Sequence, residues 1–165
     1  MYLIYGATIA KLVMNIHLSK EIQMELRTLT NYQIRQGLAS LARALPPKAV
    51  LWPMPRGGNV VFAMLQYWRS DLILSPQACP DMRNILLDDI VDTGTTLQLY
   101  YDNEFEIASL FVRCSTCSSG RKWEPHYTGD SIHDQDYLAL PWEADPKADM
   151  ERYLERIKEA NLNGN

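Results

Sequence analysis

The run between Asn84 and Leu97 constrains the fold of this chain more than any other stretch. Three consecutive apolar residues, Ile85 to Leu87, open it, and such a run is typical of a strand buried on both faces of a sheet. Two carboxylates follow directly, and then a third acid, a glycine and three threonines precede a helix-like segment. Strand, acidic pair, glycine turn and helix start, in that order, predict a site for a phosphorylated sugar.

The chemistry of the residues in this run supports that prediction. Backbone N–H groups at a turn and at a helix N-terminus attract phosphate, and threonine hydroxyls add donors. The carboxylates Asp88 and Asp89 can bind ribose hydroxyls or orient a Mg²⁺-bound diphosphate. An isolated Asp-Gly-Thr cluster more often makes an ordinary turn and helix cap. The full order Asp-Asp-x-x-Asp-Thr-Gly-Thr-Thr favours the phosphate site.

A second glycine turn follows another candidate strand, 49–52. The turn contains Arg56, Gly57 and Gly58 and leads into an apolar run over 60–68. Paired glycines permit backbone conformations that other residues resist, and they expose N–H groups to an anion. Arg56 supplies a fork of donors suited to diphosphate oxygens. By itself the Arg-Gly-Gly sequence is a weak signal, but beside the first run it favours the same ligand.

Strands and helices alternate along the chain, which predicts an α/β fold with a mostly parallel central sheet flanked by helices. Thr30 and Gln33 have the spacing of a capping box at the start of a helix. Residues 114–136 are polar and are predicted to be a loop. The further predicted strands are 71–75, 85–87, 107–112 and 137–140, and the predicted helices are 30–45, 60–68, 95–101 and 146–161.

Length and composition narrow the class of protein. A chain of 165 residues most often forms one domain, here with a core over about 30–143 and a C-terminal docking helix. The formal net charge of −4 argues against a nucleic-acid-binding surface, and no stretch is apolar enough for a membrane span. Three cysteines do not make a disulfide framework, so we expect a cytoplasmic protein. Residues 2–14 fit a strand, a hairpin or a short helix, and Ser19 can cap a short helix through Leu26.

Several of these segments together resemble the type I phosphoribosyltransferases. The run from Ile85 to Leu97 resembles that family's signature for binding phosphoribosyl diphosphate, and Pro55 to Gly58 resembles its diphosphate loop. The resemblance is sharpest with the xanthine/guanine/hypoxanthine branch, because a strand ending in a basic residue is followed by two further segments. Those features are Arg113, Pro125-His126-Tyr127-Thr128-Gly129 and Leu140-Pro141-Trp142-Glu143.

The resemblance implies a role for each matching residue. Asp88 and Asp89 would engage the ribose hydroxyls and a metal-bound diphosphate, with Mg²⁺ as the cofactor. Asp92 would lie near the purine N7 and act in proton transfer. The remaining implied sites are Arg56, Gly57 and Gly58 for diphosphate, Thr93, Gly94, Thr95 and Thr96 for the 5′-phosphate, and Arg113, Tyr137 and Leu138 for the base.

The family's activity and architecture follow as expectations. The reaction would make a nucleoside monophosphate from phosphoribosyl diphosphate and a 6-oxopurine, and the protein would be a dimer or tetramer. Terminal segments would form a small hood over the sheet. Arg113 stands where the family has a lysine, which leaves the choice among xanthine, guanine and hypoxanthine open.

Three alternatives remain at this stage. The connection 76–83 is too short for the large mobile lid of the family, which favours a catalytically silent protein that binds phosphoribosyl diphosphate or a nucleotide. Asp92 to Thr96 also resembles the active-site turn of pepsin-like aspartic proteases, which are all-β. Cys114 and Cys117 have zinc-ligand spacing, but the other candidate ligands, Cys79, His126 and His133, form no second matching pair.

Overall fold

Five parallel strands form the central sheet of the computed structural model. The structure describes residues 25–76, 84–92, 97, 100, 105–113, 125–132 and 137–163, with side chains to residue 155. The strands are β1 (Leu26–Thr28), β2 (Val50–Pro53), β3 (Ile73–Leu74), β4 (Asn84–Val91), β5 (Glu106–Arg113), β6 (Tyr127–Ile132) and β7 (Tyr137–Ala139), and the helices are α1 (Asn31–Ala44), α2 (Gly57–Trp68) and α3 (Pro146–Asn163).

The sheet has the spatial order β3-β2-β4-β5-β6, so β4 lies at its centre. Its two faces are covered by different parts of the chain. Leu51, Ile85 and Leu87 belong to a core cluster shared with α1 and α2, whereas Leu86 and Ile107 pack with the helical residue Leu97. A strand that is covered on both faces needs the continuous apolar run seen at 85–87. The predicted α/β fold with a mostly parallel sheet is therefore confirmed.

A second, two-stranded sheet pairs β1 with β7 in parallel. The two strands come from opposite ends of the described chain, and α3 follows β7 directly. This small sheet is the predicted hood. β1 itself was missed, because its three residues, Leu-Arg-Thr, show no apolar alternation.

Local signals set the bounds of α1. The Thr30 hydroxyl accepts a hydrogen bond from the Gln33 amide, and the Gln33 side chain accepts one from the Thr30 amide, so the predicted capping box is confirmed. At the other end, the Arg69 guanidinium donates to the carbonyls of Ala42 and Leu45. The same guanidinium bonds Asp71 and lowers the pKa of that carboxyl below its usual range. Arg69 thereby binds the end of α1 to the segment that leads into β3.

Residues 127–132 form β6, so the prediction of a loop throughout 114–136 is wrong in this part. The sequence Tyr-Thr-Gly-Asp-Ser-Ile has weak strand propensity, and its pairing with β5 is what holds it extended. A Cβ atom at Gly129 would lie 2.5 Å from the carbonyl oxygens of both Gly37 and Leu110. β6 can therefore approach α1 and β5 only because this position is a glycine.

Other predicted elements are present with shifted bounds. The strand predicted over 71–75 is reduced to Ile73–Leu74, and α2 begins at Gly57, three residues before the predicted apolar run. Residues 1–24 lie outside the described part of the chain, and with them the predictions for 2–14 and most of the helix predicted from Ser19. The end of that predicted helix is wrong, because Leu26 lies in β1, where pairing with Tyr137 holds it extended. No helix among the described residues combines the length and the apolar character needed to cross a bilayer.

Candidate active site at the switch point of the sheet

The strand order creates a crevice between the carboxyl ends of β2 and β4. From β2 the chain moves outward to β3, and it then returns to place β4 on the other side of β2. Loops that leave two neighbouring strands in opposite directions open a crevice at this point, where ligands of α/β proteins bind. The loop after β2 carries Arg56, and the end of β4 carries Asp88 and Asp89. The loop that carries Arg56 therefore follows a strand that pairs directly with the strand carrying the acidic pair.

The amino end of α2 packs directly against β4, and two glycines make that contact sterically feasible. A Cβ atom at Gly58 would lie 2.3 Å from the Leu87 carbonyl oxygen, which is backbone and cannot move aside. At Gly57 a Cβ atom would lie 1.8 Å from Asp89 Oδ2. Both glycines are helical, so the expectation that they supply unusual backbone angles is wrong. They are needed because the helix lies against the strand.

The unusual backbone angle occurs one residue earlier, at Arg56. Its φ of 72° and ψ of −97° are strained for a residue with a Cβ atom, and such strain concentrates at functional sites. Arg56 is the N-cap of α2 but makes no side-chain cap hydrogen bond. The exposed Arg56 and the amino end of α2 thus lie in the loop that follows the carboxyl end of β2.

The acidic pair lies inside β4 rather than after it, because the strand continues to Val91. In the pairing of β4 with β5, Asp88 lies opposite Ser109 and Ile90 lies opposite Phe111. Asp89, between them, is not paired with a residue of β5. Here both strands lose the strict alternation of faces: Leu87 and Ile90 pack on the same cluster, as do Leu110 and Phe111. A local irregularity of the sheet therefore coincides with the acidic pair.

Side chains in the irregular segment bond neighbouring backbone groups. Asp88 Oδ1 accepts a hydrogen bond of 3.0 Å from the Asp89 amide, and Asp89 Oδ1 accepts one of 2.8 Å from the Ile90 amide. Burial, and secondarily the charge of Asp89, raises the pKa of Asp88 to about 7. A bound cation would relieve both effects, so two adjacent carboxylates in this state suit a cation site.

The third acid of the run, Asp92, forms an ion pair with Arg113 at the end of β5. Arg113 Nε lies 2.6 Å from Asp92 Oδ1, and the arginine is only 5% exposed. The proposed base-binding residue and the proposed proton-transfer residue are therefore in direct contact. A buried guanidinium of this kind needs the carboxylate beside it, so each residue positions the other.

The two base-site residues predicted in β7 differ in their environments. The Leu138 side chain is buried in the main core cluster, which leaves its backbone as the part that can face a ligand. The Tyr137 ring packs against the Tyr153 ring of α3 at a centroid distance of 5.7 Å. Their predicted contact with a base stays a prediction.

Two residues that the sequence argument did not assign to the site, Trp142 and Glu143, lie beside Asp89. Trp142 packs against the core, and its indole N–H also donates to Asp89 Oδ2 at 3.2 Å. Burial raises the pKa of Glu143 to about 7, with smaller contributions from the charges of Asp149 and Asp89. The Glu143 Oε2 atom is buried and has no hydrogen-bond partner among the described residues. The Pro-Trp-Glu sequence after β7 was the available signal.

Part of the predicted site lies outside the described residues. Thr93, Gly94, Thr95 and Thr96 are in this group, as are Cys79, Cys114, Cys117 and His133 of the zinc alternative. His126 Nδ1 accepts a hydrogen bond from the Ile107 amide. Within the described ranges, no three His, Cys, Asp or Glu side chains form a group that could hold a metal by themselves.

Solved structures share this fold. A purine phosphoribosyltransferase from Pyrococcus horikoshii Ot3 superposes with a TM-score of 0.56 and 21% sequence identity, over 73% of this chain and 95% of that chain. A hypothetical protein from Neisseria gonorrhoeae with bound ppGpp has a TM-score of 0.56 and 15% identity, over 81% and 98% of the two chains. The Helicobacter pylori xanthine-guanine-hypoxanthine phosphoribosyltransferase has a TM-score of 0.49 and 17% identity, over 77% and 99%.

The chain therefore has the type I phosphoribosyltransferase fold. The parallel sheet also rules out the all-β architecture of a pepsin-like protease, so that alternative is wrong. No protein-family model matches the sequence. A search of curated proteins likewise gives no match.

Proposed function

We propose that this chain is a Mg²⁺-dependent purine phosphoribosyltransferase, which makes a nucleoside monophosphate and diphosphate from phosphoribosyl diphosphate and a 6-oxopurine. The observation that carries the proposal is the contact between the amino end of α2 and Asp89 at the switch-point crevice. It supports the proposal because Gly57, which follows Arg56, touches the Asp89 carboxylate, and a guanidinium with helix amides beside a carboxylate would suit an anionic sugar with ribose hydroxyls.

In the proposed reaction, the bond between C1 of the ribose and the diphosphate oxygen breaks, and diphosphate leaves with the electron pair. A base nitrogen then bonds to C1, and the proton that the base loses would pass to the Asp92 carboxylate and from there to solvent. Arg56 and the first amides of α2 would stabilise the departing negative charge, since donors fixed in advance need no reorganisation. Asp92, held by Arg113, would orient the base near C1, and this positioning contributes several kcal/mol to catalysis.

Asp88 and Asp89 are the residues that would hold Mg²⁺. When bound, Mg²⁺ would neutralise charge on the diphosphate. Mg²⁺ is commonly held by one or two carboxylates together with water and substrate phosphates, which agrees with the lack of a three-ligand group among the described residues. The raised pKa of Asp88 supports the same assignment, because a cation favours the ionised form.

A second candidate is a silent protein that binds a nucleotide or phosphoribosyl diphosphate without turnover. It is favoured by the gonococcal structure, which shares the fold at a TM-score of 0.56 and carries ppGpp. The short 76–83 connection supports it too, because a small link cannot form a large lid. In either case we expect a cytoplasmic homo-oligomer, a dimer or tetramer, which sedimentation of the purified chain would test.

The test is a nucleobase panel, with xanthine, guanine and hypoxanthine each incubated with phosphoribosyl diphosphate, with and without Mg²⁺. We expect Mg²⁺-dependent formation of a nucleoside monophosphate with at least one base. Adenine and uracil serve as controls for base class. Folded protein that binds phosphoribosyl diphosphate but makes no product with any base would establish the silent protein instead.

A further inference from the structure

We propose that Trp142 is a positioning residue for the Asp89 carboxylate, so that the turn ahead of α3 sets the geometry of the diphosphate crevice. The inference rests on the proposed function, because it assigns a role within the same site. It does not require turnover, since binding of phosphoribosyl diphosphate alone would depend on the same carboxylate.

The Asp89 carboxylate is held from three directions. The Ile90 amide donates to Oδ1 at 2.8 Å, and the Trp142 indole donates to Oδ2 at 3.2 Å. Gly57 lies so close that a Cβ atom there would overlap the carboxylate. A carboxylate bonded through both oxygens has little freedom to rotate. Each oxygen still has a second lone pair for a hydroxyl or a metal-bound water.

Trp142 is itself fixed independently of Asp89. Its ring packs against the main core cluster, and Leu140, two residues earlier in the chain, is 1% exposed. The Glu143 amide donates to the Leu140 carbonyl and closes the turn. Because the ring is held by the core, the indole N–H is a fixed donor, and the mobile partner in the pair is the carboxylate.

The simplest alternative is that Asp89 only satisfies the polar end of a packed tryptophan. The choice of a carboxylate as the acceptor indicates a role beyond satisfying the indole N–H. A carbonyl would satisfy the indole equally well, whereas a carboxylate makes a stronger, charge-assisted bond. The acceptor is also 53 residues away in sequence and lies at the crevice, so the bond couples the C-terminal part of the chain to the site.

The experiment compares Trp142→Phe with a matched control, Trp52→Phe. Trp52 is also a half-buried tryptophan, but it packs edge-on against Tyr100 at 5.4 Å, in the smaller core cluster. We expect Trp142→Phe to weaken binding of phosphoribosyl diphosphate with Mg²⁺ about tenfold, as for loss of one charge-assisted bond. Trp52→Phe should change it less than about twofold. Calorimetry measures binding, and KM against kcat separates positioning from chemistry.

Two further measurements decide the role. In an Asp89→Ala background, adding Trp142→Phe should cost little more, because alanine leaves the indole N–H without its carboxylate acceptor. The Trp142 indole N–H resonance in ¹⁵N spectra, assigned from spectra of the wild-type chain alone, should move in Asp89→Asn and stay unchanged in Asp130→Asn. The resonance is measured with Trp142 in place, so it remains decisive even if Trp142→Phe does not fold.

Equal affinities of Trp142→Phe and Trp52→Phe for phosphoribosyl diphosphate would overturn the inference. So would additive losses of affinity in the double variant, or a Trp142 indole resonance that does not move in Asp89→Asn. Its failure differs from failure of the proposed function. A chain that binds phosphoribosyl diphosphate without making nucleotide refutes the enzyme but still shows the Trp142 effect on binding. An active chain with an unaffected Trp142→Phe variant refutes only the inference.

Discussion

At the scale of single residues, the site depends on carboxyl groups whose charge is unfavourable in the folded chain. Burial raises the pKa values of Asp88 and Glu143 to about 7. Between about pH 4 and pH 7, these two carboxyl groups are therefore protonated in the folded chain and ionised in the unfolded chain. A site that binds a cation can tolerate this cost, because the bound cation compensates the carboxylate charge.

The first prediction concerns Asp88→Asn. The folded pKa is raised, so the stabilising effect of the protonated form is complete below about pH 4 and is lost as the pH rises through about 7. An amide keeps the oxygen that accepts from the Asp89 amide but removes the charge. Relative to the wild type, the free energy of unfolding of the variant should therefore rise by roughly 1–2 kcal/mol as the pH increases from 5 to 8.

Urea unfolding at the two pH values measures this gain, and Asp130→Asn, at an exposed acid of β6, is the control. A constant difference between the wild type and Asp88→Asn at both pH values would contradict the pKa assignment. So would the same pH-dependent gain in the control.

The second residue-scale prediction concerns Arg113. Its ion pair with Asp92 joins two residues proposed to act on the base, and Arg113 lies at the end of β5 rather than in the loop after β2. Arg113→Ala should raise KM for the purine at least about tenfold, a loss of roughly 1.4 kcal/mol, and change KM for phosphoribosyl diphosphate far less. Arg113→Lys keeps the charge and should be milder. Steady-state kinetics with each substrate varied in turn measures both constants, and equal losses would place Arg113 elsewhere.

At the scale of elements, the helices α1 and α2 begin in opposite ways. α1 has a capping box at Thr30 and a guanidinium at its carboxyl end. α2 begins at a strained Arg56 without a side-chain cap. The start of α1 stabilises the fold, whereas the start of α2 is the one proposed to bind a ligand.

This contrast predicts a separable effect for Thr30→Ala. Loss of the cap should lower the free energy of unfolding by about 1 kcal/mol, because the Gln33 amide loses its acceptor. Affinity for phosphoribosyl diphosphate should stay unchanged. Thr30→Ser keeps the hydroxyl and serves as the control. Denaturant unfolding and calorimetry measure the two quantities, and a parallel loss of affinity would show that α1 and the crevice are coupled.

At the scale of the whole molecule, the topology gathers groups that are distant in sequence. The strand order places the loop after β2 beside the end of β4, and the turn after β7 reaches the same point through Trp142. Ligand binding should therefore stabilise the whole fold, since these contacts exist only in the native state.

At about 100 times its dissociation constant, phosphoribosyl diphosphate with Mg²⁺ should add about 2.7 kcal/mol and raise Tm by roughly 5–10 °C. Scanning calorimetry measures the shift. The double variant Asp88→Ala with Asp89→Ala should fold but show no rise in Tm with the ligand. Thr30→Ala should unfold at a lower temperature but show the same rise in Tm with the ligand. A full shift in the double variant would refute the assigned site.

Local signals in the sequence determined a large part of this protein. The apolar run 85–87, the Thr30 capping box and the alternation of strands and helices predicted the sheet and its main helices, because such features depend on neighbours in sequence. Of the predicted site residues, Gly57 and Asp89 lie in contact, since the carboxyl ends of parallel strands share an edge of the sheet.

Only the tertiary structure decided what depends on contacts across the fold. β1 and β6 are extended because β7 and β5 pair with them, and their own residues carry little strand signal. Gly57 and Gly58 are required by the approach of α2 to β4, which no local pattern reveals. The same holds for Trp142, since a tryptophan after a proline indicates packing, and only the folded chain brings its N–H to Asp89.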